Sequence, residues 1–260
     1  MTVYYSTGLR NFVGNYGSYK KALQGGVMKI FGGTVPATAD AAQSATVLST
    51  ISLASGAHTN EVCAAGSITI AGSSGTVTGI TVDGKQILGE TITYASSLTA
   101  TAAAIAAAIN SYVPPDGRKL IATSSSAVIT LTELPGTGTS PNGDVVVTTC
   151  SGGDLSATDV NIGTAVAGVA SVNGLVYGAM TSGVLAKGSG AWSGVNSASG
   201  TATHFRILGS VADAGASSTT LCRIQGTCGI SGADYNMSTT TLTAAATHTV
   251  DNFTLTVPST

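Results

Sequence analysis

Short runs of alternating apolar and polar residues, each closed by a turn, limit what this chain can fold into. Ser67–Ala71 and Thr76–Val82 alternate with a period of two, which is the pattern of strands that bury one face of a sheet. Asp83-Gly84 follows the second run directly and is typical of a tight hairpin. Val27–Phe31 alternates in the same way. We therefore predict a mainly β chain with antiparallel sheets.

One long segment departs from this period of two. Its apolar residues recur at steps of 4, 3, 4 and 3, namely Leu98, Ala102, Ile105, Ile109 and Tyr112. That spacing predicts an amphipathic helix, capped at its start by Ser97 and ended by Pro114–Gly117. Strands are predicted on both sides of it, at Gln86–Tyr94, Leu120–Ala122, Ala127–Leu131 and Asp144–Thr149. A helix on a small antiparallel sheet forms an α+β module.

The two ends of the chain are each too short to make a convincing domain alone. Ser6 can cap a short helix, and Tyr19–Leu23 forms a second helical turn. Strands are predicted at Thr46–Leu53, Thr203–Gly209, Ser218–Gly226, Thr247–Val250 and Phe253–Val257. We expect an antiparallel β-sandwich formed by residues 1–62 and 168–260, with the α+β module inserted at 63–167.

Charged side chains are scarce, which bears on the partners of the chain. They make up 8% of 260 residues, with a net charge of −2 and ten Lys and Arg residues in all. Nucleic acid is not an expected partner, because phosphate binding needs clustered cations. An uncharged surface suits a protein that its neighbours cover, so we expect a homo-oligomer. The sequence has no apolar stretch of about 20 residues and no secretory signal at its start. We therefore expect synthesis in a cytoplasm and no membrane partner.

The four cysteines are Cys63, Cys150, Cys222 and Cys228. None forms a CxxC pair, and no histidine stands at zinc-ligand spacing from them. One interpretation is four free thiols, as in a reducing cytosol. The other is two bridges, Cys63–Cys150 and Cys222–Cys228, of which the first would join the two ends of the inserted module.

Catalytic and cofactor patterns are weak. The three histidines are His58, His204 and His248. His248 precedes Asp251 by three residues, and a strand period of two places them on opposite faces. Gly79–Lys85 has the glycine spacing of a phosphate loop, but its interior is a strand pattern closed by a hairpin turn. We predict no catalytic residue, no metal, no cofactor and no enzymatic activity.

Four tyrosines cluster near the N-terminus: Tyr4, Tyr5, Tyr16 and Tyr19. In one interpretation they pack the short helices onto the sandwich. In the other they form an arm of amphipathic anchors that docks on a neighbouring subunit, since tyrosine is favoured at interfaces. The sequence leaves both interpretations open.

An ordered set of short motifs resembles a family of tailed-phage virion proteins. At the start these are Ser6–Asn11, Lys21–Val27, Ile30–Gly33 and Pro36–Ala41. In the C-terminal half they are Trp192–Gly194, Gly200–Arg206, Asp213–Gly215, Arg223–Gly226, Gly232–Asp234 and Asp251–Thr256. The resemblance covers about residues 6–55 and 175–258. The middle module is similar to small repeats of phage tail and appendage proteins, through Ile80–Gly84, Ala102–Asn110 and Pro141–Gly143.

The resemblance implies a structural component of a tailed-phage virion, made in the cytoplasm of the host bacterium. Its expected partners are other virion proteins and copies of itself. The expected place is the neck, collar or tail. The alternatives are a capsid decoration protein and an adhesin-like module that binds the host. The family pattern carries over no catalytic residue, and the cysteines are not part of it.

Overall fold

A computed structural model describes residues 3–115 and 118–256. Strands account for 39% of the residues and helices for 12%, which confirms the predicted mainly β fold. The helices are α1 (Thr7–Tyr16), α2 (Tyr19–Leu23) and α3 (Leu98–Ser111). The strands are β1 (Tyr4–Tyr5), β2 (Val27–Gly32), β3 (Thr46–Leu53), β4 (Ala65–Ala71), β5 (Thr76–Val82), β6 (Lys85–Gln86), β7 (Ile92–Thr93), β8 (Ile121–Ser125), β9 (Val128–Thr132), β10 (Val146–Ser151), β11 (Ser156–Val160), β12 (Val184–Ala186), β13 (Trp192–Val195), β14 (Gly200–Thr201), β15 (His204–Leu208), β16 (Arg223–Gly229), β17 (Tyr235–Asn236), β18 (Thr241–Leu242), β19 (Thr247–Val250) and β20 (Thr254–Thr256).

The chain divides into two compact units. Unit 1 contains Met1–Glu61 and Ser171–Thr260, and unit 2 contains Val62–Ala170. The boundaries predicted from the sequence, 62/63 and 167/168, lie within three residues of these. No helix in the described ranges has the length and apolar character needed to cross a membrane.

An eight-stranded sheet dominates unit 1. Its strands lie in the order β1-β16-β15-β2-β3-β13-β19, each antiparallel to its neighbours, and β17 pairs in parallel with the end of β16. Two small sheets, β12-β20 and β14-β18, complete the strands of unit 1 in the described residues. The predicted packing of sheets into a sandwich stays a prediction.

The central strands of this sheet bury both of their faces. All five residues of β15 are buried. On one face Ile207 pairs with Met28 and Ile224, which continues an apolar surface across three strands. The other face carries the polar residues His204 and Arg206, with Gln225 as the cross-strand partner of Arg206, and it ends at Leu208. Loops and the N-terminal helices must therefore cover the polar face of this sheet. The buried side chains on that face need hydrogen-bond partners from the covering segments.

Three aromatic rings meet on the apolar side of unit 1. Trp192 is fully buried, and its ring centroid lies 5.0 Å from that of Tyr177 and 5.3 Å from that of Phe253. The indole N–H donates to the Val176 carbonyl at 3.3 Å. This cluster fixes β13 against the chain segments that precede β12 and β20, since such ring pairs add to the burial of the rings themselves.

Serine caps begin both N-terminal helices. The Ser6 hydroxyl accepts the Leu9 N–H at the start of α1, and the Ser18 hydroxyl accepts the Lys21 N–H at the start of α2. The predicted cap at Ser6 and the predicted turn at 19–23 are confirmed. Gly8 permits the close approach of α1 to the turn that precedes β16, because a Cβ there would lie 2.4 Å from the Thr220 backbone.

In its described residues, unit 2 consists of two four-stranded sheets and one helix. One sheet has the order β10-β5-β6, with β7 also paired to β5, and the other has the order β11-β4-β9-β8. Helix α3 packs on β8 and β9. Ala102, Ile105 and Ile109 of its predicted apolar stripe lie in the core. Ser97 caps it as predicted, by accepting the Ala100 N–H. Of the predicted stop Pro114–Gly117, Asp116 and Gly117 lie outside the described residues.

Two predicted strands are wrong in part. Gln86–Tyr94 is not continuous, because Ile87 and Leu88 are both buried in succession and so break the alternation of a strand. Ser218–Gly226 becomes a strand only at Arg223, since the Ser218 hydroxyl accepts the Thr220 and Leu221 N–H groups in a turn. Val257, the predicted end of the last strand, lies outside the described residues.

Candidate functional site

An ion pair anchors the polar face of unit 1. Arg223 is fully buried and donates from Nε and Nη2 to the two oxygens of Asp213, at 2.6 and 2.7 Å. It also donates to the carbonyls of Ala39 and Ala216. The Asp213 carboxyl is held by these bonds and its pKa is lowered, even though burial alone would raise it. One arginine thus ties two separate loops to strand β16.

A second buried arginine lies beside the first, and it has no carboxylate hydrogen-bonded to it among the described residues. Arg206 donates from Nε and Nη2 to Gln225 Oε1, at 3.2 and 2.5 Å, and from Nη1 to the Ala41 carbonyl at 3.2 Å. Burial and the neighbouring Arg223 charge lower the pKa of Arg206 to about 10. Gln225 donates in turn to the Pro36 carbonyl at 2.7 Å. The loop before β3 is therefore fastened through side chains of β15 and β16.

His204 extends this network as a neutral ring. Its Nε2 lies 2.6 Å from Gln43 Nε2 and its Nδ1 lies 2.8 Å from the Thr203 hydroxyl. The Gln43 amide nitrogen can only donate, so His204 Nε2 accepts. Burial, and secondarily the Arg206 charge, lowers the pKa of His204 to about 4. These charged and polar groups are all engaged in holding loops, so the buried face is structural.

A polar cleft of about 570 Å³ opens elsewhere in unit 1. Tyr235 and His248 form one part of its lining, with the phenol oxygen 2.8 Å from His248 Nε2. Asn196, Asp251 and Asn252 also line it. Its volume falls in the range of small-molecule sites. We call this feature the polar cleft.

The polar cleft corrects one argument from the sequence. His248 and Asp251 were placed on opposite faces of one strand, but β19 ends at Val250, so Asp251 leaves the strand and both residues line the cleft. Burial lowers the pKa of His248, while the Asp251 charge acts in the opposite direction. Burial raises the pKa of Tyr235. The histidine and the phenol are therefore neutral near pH 7.

A smaller cleft of about 280 Å³ shares part of this lining. Tyr235, Asn236 and Asn252 belong to both clefts. The remaining walls of the smaller cleft are largely apolar and include Met28, Phe205, Ile224 and Leu255. This smaller cleft is suited to a ligand that carries an apolar group beside a polar one.

Unit 2 exposes an uncharged strip on two paired segments. Val62 and Val169 exchange both backbone hydrogen bonds, at 3.0 and 2.9 Å, and Ala65 and Val166 do the same at 2.9 and 3.2 Å. The side chains of Val62, Val166 and Val169 are 42%, 45% and 48% exposed. Their exposed neighbours in residues 164–170 are threonine and alanine. Val62 and Val169 are directly paired, so their side chains lie side by side on one face of the ladder, whereas Val166, three residues from Val169, is exposed on the other face. Neighbouring exposed apolar residues indicate an interaction surface. We call Val62 and residues 164–170 the valine strip.

Side chains cap two strand edges of unit 2. Asn110 of α3 donates to the Ala122 carbonyl at 2.8 Å and accepts the Ala122 N–H at 2.9 Å, so its amide imitates a neighbouring strand on β8. On β10 the N–H groups of Val146 and Thr148 donate to Asn161 and Asp159 side chains. Capped edges resist pairing with a further strand. Contacts of unit 2 at these positions must therefore use side chains.

The four predicted interface tyrosines are all in unit 1 and differ in exposure. Tyr4 is exposed, whereas Tyr5, Tyr16 and Tyr19 are half-buried. Tyr5 and Tyr19 pack edge to face, with ring centroids 5.7 Å apart. Tyr16 packs in the same way on Phe12. Three of the four thus have packing roles inside unit 1, and only Tyr4 of these four is exposed, at 43%.

The predicted disulfides Cys63–Cys150 and Cys222–Cys228 do not form in this structure, where the four cysteines are reduced. Cys63 precedes β4 and Cys150 lies in β10, and these strands belong to different sheets. Cys222 precedes the unbroken strand β16, and Cys228 lies near its end. That separation is about 20 Å at 3.3 Å per residue, against a limit of about 7 Å for bridged Cα atoms. Burial raises the pKa of Cys222 and of Cys228 to about 12, so both are unreactive thiols.

Metal and phosphate sites receive no support from the geometry. No group of three His, Cys, Asp or Glu residues that could hold a metal occurs in residues 3–115 and 118–256. Gly79–Lys85 spans β5, a turn and β6, so it does not open a helix as a phosphate loop does. His58 instead lies 3.0 Å from the Gly25 carbonyl and acts in packing.

Comparisons with protein-family models, curated proteins and solved structures each gave no match.

Proposed function

We propose that this chain is a structural component of a tailed-phage virion that acts by packing into an oligomeric assembly. The observation that carries the proposal is the valine strip, which exposes apolar side chains with no charge among them. Burying such a strip against a neighbour is favourable, at about 25 cal/mol for each Å² of apolar surface. The partners of the chain are other virion proteins and further copies of the chain. Its place in the virion is the neck, collar or tail.

The buried charged groups of unit 1 also support this proposal, because they hold loops in place. Arg206, Arg223 and Asp213 serve to fasten loops, which suits a subunit whose surface shape must be constant across many copies. The motif resemblance is what connects this assembly to a phage particle made in a bacterial cytoplasm. Capsid decoration and adhesin-like host binding are the alternatives, and the polar cleft favours the adhesin-like one.

Charge substitutions on the valine strip test the packing. Val166→Lys and Val169→Lys should leave the fold intact, since both side chains are already half exposed. They should shift the purified protein from oligomer to monomer in light scattering, because a buried unpaired charge opposes association. Val113→Lys is the matched control, because Val113 is 73% exposed in the same unit and outside the strip.

Mass spectrometry of purified phage particles tests the location. The chain should be recovered in stoichiometric amounts relative to other virion proteins. A wild-type protein that is monomeric at all accessible concentrations, together with its absence from intact particles, would refute the proposal.

A further inference from the structure

We propose that the polar cleft of unit 1 binds a neutral saccharide. The cleft volume of about 570 Å³ leaves room for one or two sugar rings, within the usual range for small-ligand sites. This inference goes beyond a structural role and is independent of subunit packing.

The lining offers hydrogen bonds without positive charge. Among the described lining residues are amides, hydroxyls and one carboxylate, represented by Asn236, Asn252, Thr247, Thr249 and Asp251, and none is Lys or Arg. An anionic ligand would find no countercharge there. A saccharide hydroxyl both donates and accepts, so it can satisfy amide, hydroxyl and carboxylate groups alike.

Several of these groups are not engaged by the protein. The side chains of Asp251 and Asn252 are exposed, and neither makes a side-chain hydrogen bond to another described residue. Asn196 is committed to the protein through its bond to the Thr243 carbonyl, and its Oδ1 is buried. The unused hydrogen-bonding capacity of the cleft therefore lies in Asp251 and Asn252.

Tyr235 gives the cleft a fixed aromatic wall. Its ring packs edge to face against Phe205 at 6.1 Å and against His248 at 6.0 Å between centroids. Its hydroxyl is joined to His248, so the ring cannot turn freely. A rigid aromatic face is suited to the C–H face of a sugar ring. The adjoining apolar cleft, lined by Phe205 and Leu255, is suited to an N-acetyl methyl group.

Protein-observed NMR on the full ¹⁵N-labelled chain tests the proposal. The probes are glucose, galactose, N-acetylglucosamine and maltose, with glucose 6-phosphate as the anionic comparison. At least one neutral probe should give saturable shifts at millimolar concentration, about −4 kcal/mol of binding. The shifts should be confined to residues of the cleft, and the phosphorylated sugar should bind more weakly than glucose.

A matched pair of alanine variants locates the site. Asn252→Ala should weaken binding about tenfold, since a hydrogen bond to the ligand contributes about 1 kcal/mol or more. Asn15→Ala removes the same group from an exposed position of α1 and should leave binding unchanged. Both variants should keep the wild-type melting temperature.

Any of three results would overturn the inference. These are the absence of saturable shifts with every neutral probe, shifts that map outside the cleft, and binding of glucose 6-phosphate as tight as that of glucose. None of these results bears on whether the chain occurs in virions, which particle mass spectrometry decides separately.

Discussion

The sheet pair β15–β16 in unit 1 buries polar side chains on one of its faces, whereas the buried side chains of the pair β4–β9 in unit 2 are apolar. The first encloses His204, Arg206, Arg223 and Gln225. The second encloses Ile68, Ile70, Ile129 and Leu131. In unit 2 the covering elements are a sheet and a helix, which satisfy their own backbone groups, so the core needs only apolar volume.

Unit 1 differs because loops cover one face of its main sheet. Loop backbones have carbonyl and N–H groups without ladder partners, and these need side chains to bond them. Arg206 and Arg223 donate to the carbonyls of residues Ala39, Ala41 and Ala216. The kind of segment that covers a sheet therefore decides whether the buried side chains of that sheet are polar or apolar.

The largest effect should come from breaking the buried ion pair of unit 1. Arg223→Met leaves the Asp213 carboxylate buried without its partner, and should lower the free energy of unfolding by about 4 kcal/mol. Urea denaturation followed by circular dichroism measures this. Arg10→Met, at an exposed position, should cost little. A loss for Arg223→Met as small as that of the control would show that the pair is not needed.

A cavity in the core of unit 2 should lower the free energy of unfolding slightly less than the loss of the ion pair does. This decrease should not depend on pH. Ile129 is fully buried opposite Ile68, and Ile129→Ala should lower the free energy of unfolding by about 3 kcal/mol. The loss should be equal at pH 7 and pH 5, because no His, Asp or Glu is among the described residues of this core. Val147→Ala, on the exposed side of β10, is the control. A loss that changes with pH would contradict the contrast between the units.

Acid should weaken unit 1 before unit 2. The pKa of His204 falls from 6.5 to about 4 on folding, so between these values the unfolded chain binds the extra proton. Stability is therefore present above pH 6.5 and decreases as pH falls towards 4, by about 2 kcal/mol between pH 7 and pH 5. Hydrogen exchange of β15 and β4 amides reports the two units separately.

His204→Gln should remove most of the pH dependence of hydrogen exchange at β15 amides. Exchange at β4 amides should be the same as in the wild-type protein. The lowered pKa of His248 acts in the same direction, so a small residual slope in unit 1 is expected. An equal acid sensitivity of both units would refute this assignment.

The smallest effect concerns the strand edge that α3 caps. Asn110→Ala removes two hydrogen bonds to Ala122 and should cost about 1 kcal/mol. The exchange protection of the Ala122 amide should fall. Asn110→Asp, which keeps the acceptor and loses the donor, should retain part of that protection. Unchanged protection in the alanine variant would show that water replaces the cap without cost.

Local signals made the helices and most long strands predictable. The Ser6 and Ser97 caps and the stripe around Ile105 depend only on nearby residues, and all are confirmed. Strand β11 was missed because Ser156–Val160 is an edge strand without buried alternation. Strand β13 was missed because glycine and serine surround Trp192.

The polar face and the cleft could not be predicted from periodicity. Polar residues at alternate positions of a strand predict a face exposed to solvent. Arg206 and His204 of β15 are buried only because loops cover that face. The cleft combines Asn196 with residues around Tyr235 and His248, which are distant in sequence. The end of β19 at Val250 also decides where Asp251 lies, and strand ends are the least predictable part of a pattern.

The hydrogen-bonded pair Val62 and Val169 has a consequence for how such genes change. Residues that exchange both bonds have Cα atoms about 5.5 Å apart, so unit 2 begins and ends at adjacent points. Recombination can then remove, duplicate or replace the whole cassette without lengthening either flanking segment. Related genes that differ by a clean substitution of this segment, with the flanks conserved, are the expected outcome of that arrangement.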